Sequence, residues 1–368
     1  MQKLIKSCKS SRTPRVQAMS VSQASSATGH RNYAPVPLLW VALVLFPVCA
    51  ALVALGSGRL SITPFEVIGA LLSPEDHPSK APVIWYIRLP RTLASLLAGA
   101  SLAVAGAILQ GVLRNPLAGP QTVGVTSGAA LGGAFAISVG LSGLTMVFLA
   151  FFAGFGTVLA VLAVARIADG PARSEPSILT VVLAGIVLSA LAAAGTTLIQ
   201  HAADPEEVLP QIVYWLMGSF AAVEYSDALL LVTLLAPLTL LLWGYGLRLD
   251  LMSGGEDEAR ALGLNVRRDR MIMLAGVAAL GAGSVAVAGV IGWIGLVVPH
   301  AARFVVGPSH RRLIPACALI GAGLLCLIDT AARSVTTVEM PISALTAIIG
   351  APVFLGLMFG LARCGFYD

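Results

Sequence analysis

The sequence predicts an all-α integral membrane protein with about ten transmembrane helices. Three observations carry that prediction. Of 368 residues, 57% are hydrophobic and only 11% are charged, less than half the charged share of an ordinary globular domain. The apolar residues gather into runs of about 20, the length that crosses a bilayer. The basic residues sit in the short gaps between runs and sort to one side when ten crossings are counted.

Residues 1–35 are polar and Ser-rich, and carry Lys3, Lys6, Lys9, Arg12, Arg15 and Arg31 without an acid. The first apolar run, Pro35 to Leu55, is too long for a signal h-region and lacks a small-residue cleavage site followed by a soluble stretch. A disordered basic cytoplasmic tail and a first membrane helix are therefore expected. Gly56 to Pro90 is a polar loop, in which Thr63-Pro64 ahead of Phe65-Glu66-Val67-Ile68 predicts a capped, short surface helix.

Helix two, about 91–113, enters through Arg88-Leu-Pro-Arg91 and leaves through Arg114-Asn-Pro116-Leu-Ala-Gly119-Pro120. Helix three, about 121–140, carries Gly128-Ala-Ala-Leu-Gly132, a small-xxx-small face for close packing. Helix four (about 144–166) ends in a polar turn with Arg166, Asp169, Arg173 and Glu175 as well as Pro171 and Pro176, and helix five covers about 178–200. An acidic loop (Asp204, Glu206, Glu207) and an interfacial stretch, Tyr214-Trp-Leu-Met-Gly-Ser219, precede helix six at about 228–247.

Arg248 to Arg270 has helical spacing without the length or hydrophobicity to span. Residues 271–306 leave room for two short crossings broken at Gly289 or Gly292. Helices nine (about 313–330) and ten (about 342–362) complete the count, which defines a transmembrane domain at 36–363.

An even count puts both termini on one side, the cytoplasm if the basic tail decides. The cytoplasmic gaps then hold Arg114, Arg166, Arg173, Arg248, Arg260, Arg267, Arg268, Arg270, Arg303, Arg311 and Arg312. The outer side keeps Arg59, Lys80, Arg88, Arg91 and Arg333. One internal echo stands out: Ala103-Val-Ala-Gly106 and Ala286-Val-Ala-Gly289 are each followed by Ile, Leu and Pro at equal spacings. Duplicated halves are common in transporters, although a chain rich in Ala, Gly and Val also matches itself by chance.

Several function classes are excluded. No G-x-x-x-x-G-K-[ST], H-E-x-x-H or G-x-S-x-G occurs. The five cysteines and five histidines are scattered without metal-ligand spacing, so neither a metal nor another cofactor is expected. The net charge of +5 lies between apolar runs, the pattern of a membrane protein rather than a nucleic-acid binder. A proton relay would need acids at mid-membrane. Asp329 stands near a helix end, four residues before Arg333, where an i,i+4 pair is the simpler account.

The chain resembles the FecCD-type permease subunits of bacterial ABC importers. The matching stretches are Arg88-Leu-Pro-Arg91; Gln110-Gly111 with Arg114-Asn-Pro-Leu-Ala118; Gly124 with Ser127-Gly-Ala129; Leu183-Ala-Gly185; Trp215 with Met217-Gly-Ser219; Gly289-Val-Ile-Gly292 with Gly295-Leu-Val-Val-Pro-His300 and Arg303; Asp329 with Arg333; Glu339-Met-Pro341; and Gly350-Ala-Pro352 with Phe354. They cover nearly everything from about 36 to 360. Gly119, Trp293 and Ser343 depart from the family's usual acid, Phe and Gly, which puts any role for position 119 in doubt.

The resemblance implies a type II ABC importer permease fold of ten helices, paired with a second permease subunit as a homodimer in the inner membrane. It implies two ATP-binding cassette ATPase subunits on the cytoplasmic face and a periplasmic substrate-binding protein outside, the chain itself having no ATPase site. The cargo would be a ferric siderophore or similar iron chelate, with haem or vitamin B12 as family alternatives. An ion-coupled secondary transporter is the rival from another class.

Carried onto this sequence, Arg88, Arg91 and Arg333 would receive acidic residues of the binding protein, the alternative being that they are interfacial anchors or partners of Asp329. Glu256, Arg260, Leu262 and Gly263 would couple to the ATPase, against a plain solvated loop. Pro116, Gly292, Gly295 and Pro299 would break helices around the path, against ordinary packing.

Overall fold

A computed structural model describes residues 36–58, 60–170 and 177–363. The expected tail at 1–35, Arg59 and the polar turn at 171–176 lie outside the described residues. Met1–Val41 and Ala42–Asp368 are separate compact units. Of the first, the described residues are the opening of one helix, and packing within the second positions the site.

Among the described residues all regular structure is helical. The helices are α1 (Val36–Gly56), α2 (Pro64–Leu72), α3 (Leu89–Val112), α4 (Val125–Ser138), α5 (Gly143–Asp169), α6 (Ile178–Ala202) and α7 (Val208–Leu216). They continue with α8 (Tyr225–Gly244), α9 (Gly246–Gly254), α10 (Glu256–Ala261), α11 (Val266–Ala288), α12 (Ile294–Val306), α13 (His310–Ser334) and α14 (Ile342–Arg363).

Seven helical stretches are long and apolar enough to cross a membrane, and α4, α12 and α14 are shorter apolar helices. These ten fall on the ten apolar runs read from the sequence. The remaining four, α2, α7, α9 and α10, occupy the loop at 56–90, the interfacial stretch and the charged 248–270 segment. That last segment is two short helices plus the first turn of α11, which Asn265 caps through the Arg268 N–H.

α2 begins as its residues demand. The Thr63 hydroxyl accepts the Glu66 N–H, Glu66 accepts the Thr63 N–H, and Pro64 opens the helix, so orphan donors of the first turn are satisfied. The next crossing starts earlier than the sequence suggests. A π-helical turn, Val83–Arg88, feeds α3, and the joined Val83–Val112 is the most enclosed crossing.

Small residues let α3 lie in the middle. A Cβ on Gly99 would stand 2.2 Å from the Gly321 carbonyl of α13, and one on Gly106 would stand 1.8 Å from the Gly295 carbonyl of α12. The Gly128–Gly132 face works similarly against α5, where a Cβ on Gly128 would meet Thr157. Without a hydrophobic drive between helices in lipid, such close approach is a main source of cohesion.

The sequence echo is not a repeated conformation. Gly106 sits inside continuous α3, whereas Gly289 ends α11 at a φ of +70°. From Gly289 to Trp293 the chain is not helical, and Trp293 opens α12 at a φ of +66°. With 13 residues, α12 is about 20 Å long and cannot span alone. The break expected near Gly289 or Gly292 is therefore present.

Candidate functional site

Three features converge on the α3–α13 pair: an ionic knot where α3 begins, a set of polar ties where α3 ends, and the broken α11–α12 segment between them.

The knot is built around Arg91. Its Nε and Nη2 donate to both oxygens of Asp329 at 2.7–3.1 Å, and Nη1 and Nη2 also donate to Glu339. One planar guanidinium thus bridges two carboxylates, which a lysine's point charge would not do. Glu339 accepts from the Ser219 hydroxyl at 2.9 Å as well. Burial alone would raise the Glu339 carboxyl, but the Arg91 and Ser219 bonds outweigh it and hold it below its ordinary value.

Arg88 and Arg333 face the end of α1 instead. Arg88 donates to the Leu55 carbonyl at 2.6 Å and to the Leu60 carbonyl; Arg333 donates to Ser57 at 2.9 Å and to Ala54. The last carbonyls of a helix lack intrahelical partners and carry its negative pole, so two guanidinium groups there satisfy both needs.

The arginines expected to point outward are therefore turned inward: Arg88 is 4% and Arg91 8% exposed. The i,i+4 partner read for Arg333 exists only as a 3.8 Å contact to Asp329. In the sequence Glu339 and Ser219 stand only within family motifs, and no local pattern marks their partnership with Arg91.

Where α3 ends, the α9–α10 segment is tied to three crossings. Arg114 (φ +46°) donates to the Met252 carbonyl at 2.7 Å, and Arg248 pairs with Asp269 of α11 at 2.7 Å. Glu256 pairs with Arg270 of α11, and Arg260 lies 3.5 Å from Glu256. Asp250 takes the Ser309 hydroxyl, the His310 N–H and His310 Nδ1, each at 2.7 Å. It acts as the N-cap of α13, supplied from another helix. Sequence reasoning missed Asp250, since a cap normally stands beside the helix it serves.

Leu262 is 65% exposed beside Gly263, whose φ of +85° ends the segment in a left-handed turn. The bonds from the Gly263 N–H to the Arg260 carbonyl and from the Leu264 N–H to the Ala259 carbonyl close that turn.

The Asp250 cap has a measurable signature. Burial would raise its carboxyl, but the His310 and Ser309 bonds outweigh this and hold it below the usual carboxylate range. A depressed acid stabilises the fold above its unfolded pKa and loses that contribution as pH falls through the folded one. Asp250→Asn is expected to cost about 1 kcal/mol at neutral pH. The gap to the parent in thermal unfolding should close on acidification; a gap independent of pH would refute the ionic cap.

Of the residues expected to break helices, Pro116 lies in the turn after α3 and Gly292 in the non-helical stretch before α12. Pro299 sits inside α12, which continues through it. Its missing N–H leaves the Gly295 carbonyl without an i+4 donor, and that carbonyl faces Gly106. A Cβ on Gly295 itself would stand 2.9 Å from the Leu102 carbonyl and from Pro120. Irregular backbone at this depth needs protein around it, and Gly289, Ile291 and Ile294 are indeed buried. Among the described residues no His, Cys, Asp or Glu cluster could hold a metal.

Residues 43–360 match the FecCD transport family. The chain belongs to that family. It is an ABC importer permease, a multi-pass membrane protein of a class that works with ATPase and substrate-binding partners.

Haemophilus influenzae MolB, a molybdate import system permease, is 40% identical over 334 residues, covering 89% of this chain and 97% of its own. A Helicobacter pylori permease assigned to iron chelatin transport is 36% identical over 328 residues, 87% of this chain and 97% of its own. A solved inward-facing ABC transporter described as of metal-chelate type superposes with a TM-score of 0.78 at 38% identity, covering 88% of this chain and 99% of that one.

Proposed function

We propose that this permease passes a ferric siderophore or similar iron chelate from a periplasmic binding protein to the cytoplasm by alternating access. The energy comes from two ATPase subunits, and a second copy of the permease completes the path. Family membership over residues 43–360 carries the reading. The metal-chelate type of the solved relative and the iron assignment of the H. pylori permease support the cargo. A second reading, molybdate, is favoured by the 40% identity to MolB.

In this reading the knot end is outer, and α9–α10 and both termini are cytoplasmic, with 36–363 the permease domain and 1–35 a basic tail. Arg88, Arg91 and Arg333 act from beneath the binding-protein platform, fixing the end of α1 and the loop between α13 and α14 that present it. Glu256 ties α10 to Arg270 of α11, Arg260 pairs with Glu256 within α10, Gly263 ends it, and Leu262 is the side chain offered to the ATPase. Pro116, Gly292, Gly295 and Pro299 shape the path.

Reconstitution with its partner ATPase and binding protein is the test. ATP-dependent uptake of a ferric siderophore is expected; uptake of molybdate alone would select the second reading, and uptake without ATP would overturn the class. Leu262→Ala should leave thermal unfolding unchanged, because the side chain is exposed. ATP-driven uptake should fall about tenfold, the equivalent of about 1.4 kcal/mol at the ATPase contact. Undiminished uptake would remove Leu262 from the coupling contact.

A further inference from the structure

α2 carries two apolar faces. Val67 and Ala70 are fully buried, and with Leu71 they pack on Leu52 and Leu55 in the last turns of α1 and on Ile84, Trp85 and Leu89 where the next crossing begins. On the other side Phe65 is 87%, Ile68 44% and Leu72 78% exposed. At 100° per residue these three fall in one narrow sector, away from the buried pair. The only charge on the helix, Glu66, is tied to Lys80 at 2.6 Å.

A nine-residue helix that is apolar almost all round is covered by something other than water. Its depth says by what. Its inner face packs against the terminal turns of two membrane crossings, so it lies level with their ends rather than above them. The aromatic residues around it have the composition of a membrane–water boundary: Trp85 donates its indole N–H to the Ala70 carbonyl at 3.1 Å, Tyr225 at the start of α8 donates to the Trp85 carbonyl, and Tyr86 is 74% exposed.

We propose that α2 lies in the bilayer interface, with Phe65, Ile68 and Leu72 inserted among lipid acyl chains just below the headgroups. The crossings it touches also expose apolar side chains at these ends, Val53 in the last turns of α1 and Ile87 just before α3. Interfacial helices of this kind bind through the apolar area they bury. By fixing the depth of α2, the membrane also fixes the Ser57 and Leu60 carbonyls that Arg333 and Arg88 hold. This rests on the membrane-spanning fold and is independent of the cargo.

The test is spin labelling of Phe65→Cys and Leu72→Cys, each in a cysteine-free permease in phosphatidylethanolamine–phosphatidylglycerol nanodiscs. Collisions with oxygen and with a water-soluble nickel chelate are compared with those at exposed Ser79 and at Leu191, exposed on α6. Both labels are expected to show a several-fold excess of oxygen over nickel relative to Ser79, approaching Leu191, and to be unchanged by the binding protein. Nickel access equal to that at Ser79 would overturn the proposal. So would labels shielded only when the binding protein is added, which would assign the stripe to a protein contact. If the cysteine-free chain does not assemble, Phe65→Trp in the native chain decides: quenching of the added emission by brominated acyl chains supports the proposal, and its absence overturns it.

Discussion

Arg91→Ala is expected to destabilise the permease by about 3–5 kcal/mol, because it strands buried charge rather than merely deleting a contact. Asp329 is 1% exposed and would be left with Arg333 at 3.8 Å; Glu339 would keep only the Ser219 hydroxyl of its side-chain donors described above. Arg91→Lys should recover part of the loss, since an ammonium can serve one carboxylate well but cannot chelate both. Removing the whole set, as Arg91→Met with Asp329→Leu and Glu339→Gln, should be less damaging than Arg91→Ala alone, because a buried ion pair replaced by apolar groups of similar size is often near neutral. Thermal unfolding of the purified protein in detergent gives the ranking. A melting point for Arg91→Ala equal to the parent's, combined with loss of ATPase stimulation by the binding protein, would instead return Arg91 to a direct docking role.

That ranking reflects what the sequence could and could not convey. The ten apolar helices were legible because length and hydrophobicity are local properties, and the broken hairpin was legible because Gly289 and Gly292 interrupt an apolar run. The Thr63–Glu66 capping box and the Gly263 stop are also written within a few residues. The knot is not. Asp329 and Arg333 read as a pair at i,i+4 spacing, yet the stronger partner of Asp329 is Arg91, 238 residues earlier. Arg88, Arg91 and Arg333 read from the letters alone as one docking set, and that Asp329, Glu339 and the carbonyls at the end of α1 are their partners within the chain is visible only in the tertiary fold. Asp250 was illegible for the same reason, since it caps a helix that starts 60 residues later. The Gly106/Gly289 echo shows the converse failure: equal letters in unequal surroundings gave a continuous helix once and a helix end once.

Gly106→Ala is the substitution that tests whether α3 holds the crossings together. The added methyl would be placed 1.8 Å from the Gly295 carbonyl oxygen and 2.5 Å from its carbon. Both are backbone atoms, so no rotamer change relieves the clash, and α3 and α12 must separate. Overpacking of this kind costs about 3 kcal/mol at the top of its usual range. The loss falls directly on stability because lipid offers these helices no hydrophobic compensation for a looser crossing. Separation also withdraws whatever the Gly295 carbonyl gains from the Gly106 Cα–H, a weak bond made available because Pro299 donates no N–H to that oxygen. The control is Gly156→Ala on α5, where nothing lies within 4 Å of the new methyl; there the better helix propensity of Ala predicts no loss, and a gain of up to about 1 kcal/mol. Gly99→Ala and Gly321→Ala should follow Gly106, since each would be placed against the other's backbone. If Gly106→Ala and Gly156→Ala unfold at the same temperature, α3 and α12 do not cross at these glycines. If only Gly106, Gly99 and Gly321 fail, the small residues of α3 are what allow one central helix to carry both the Arg91 knot and, about 35 Å away at 1.5 Å per residue, the Arg114 tie to the α9–α10 segment.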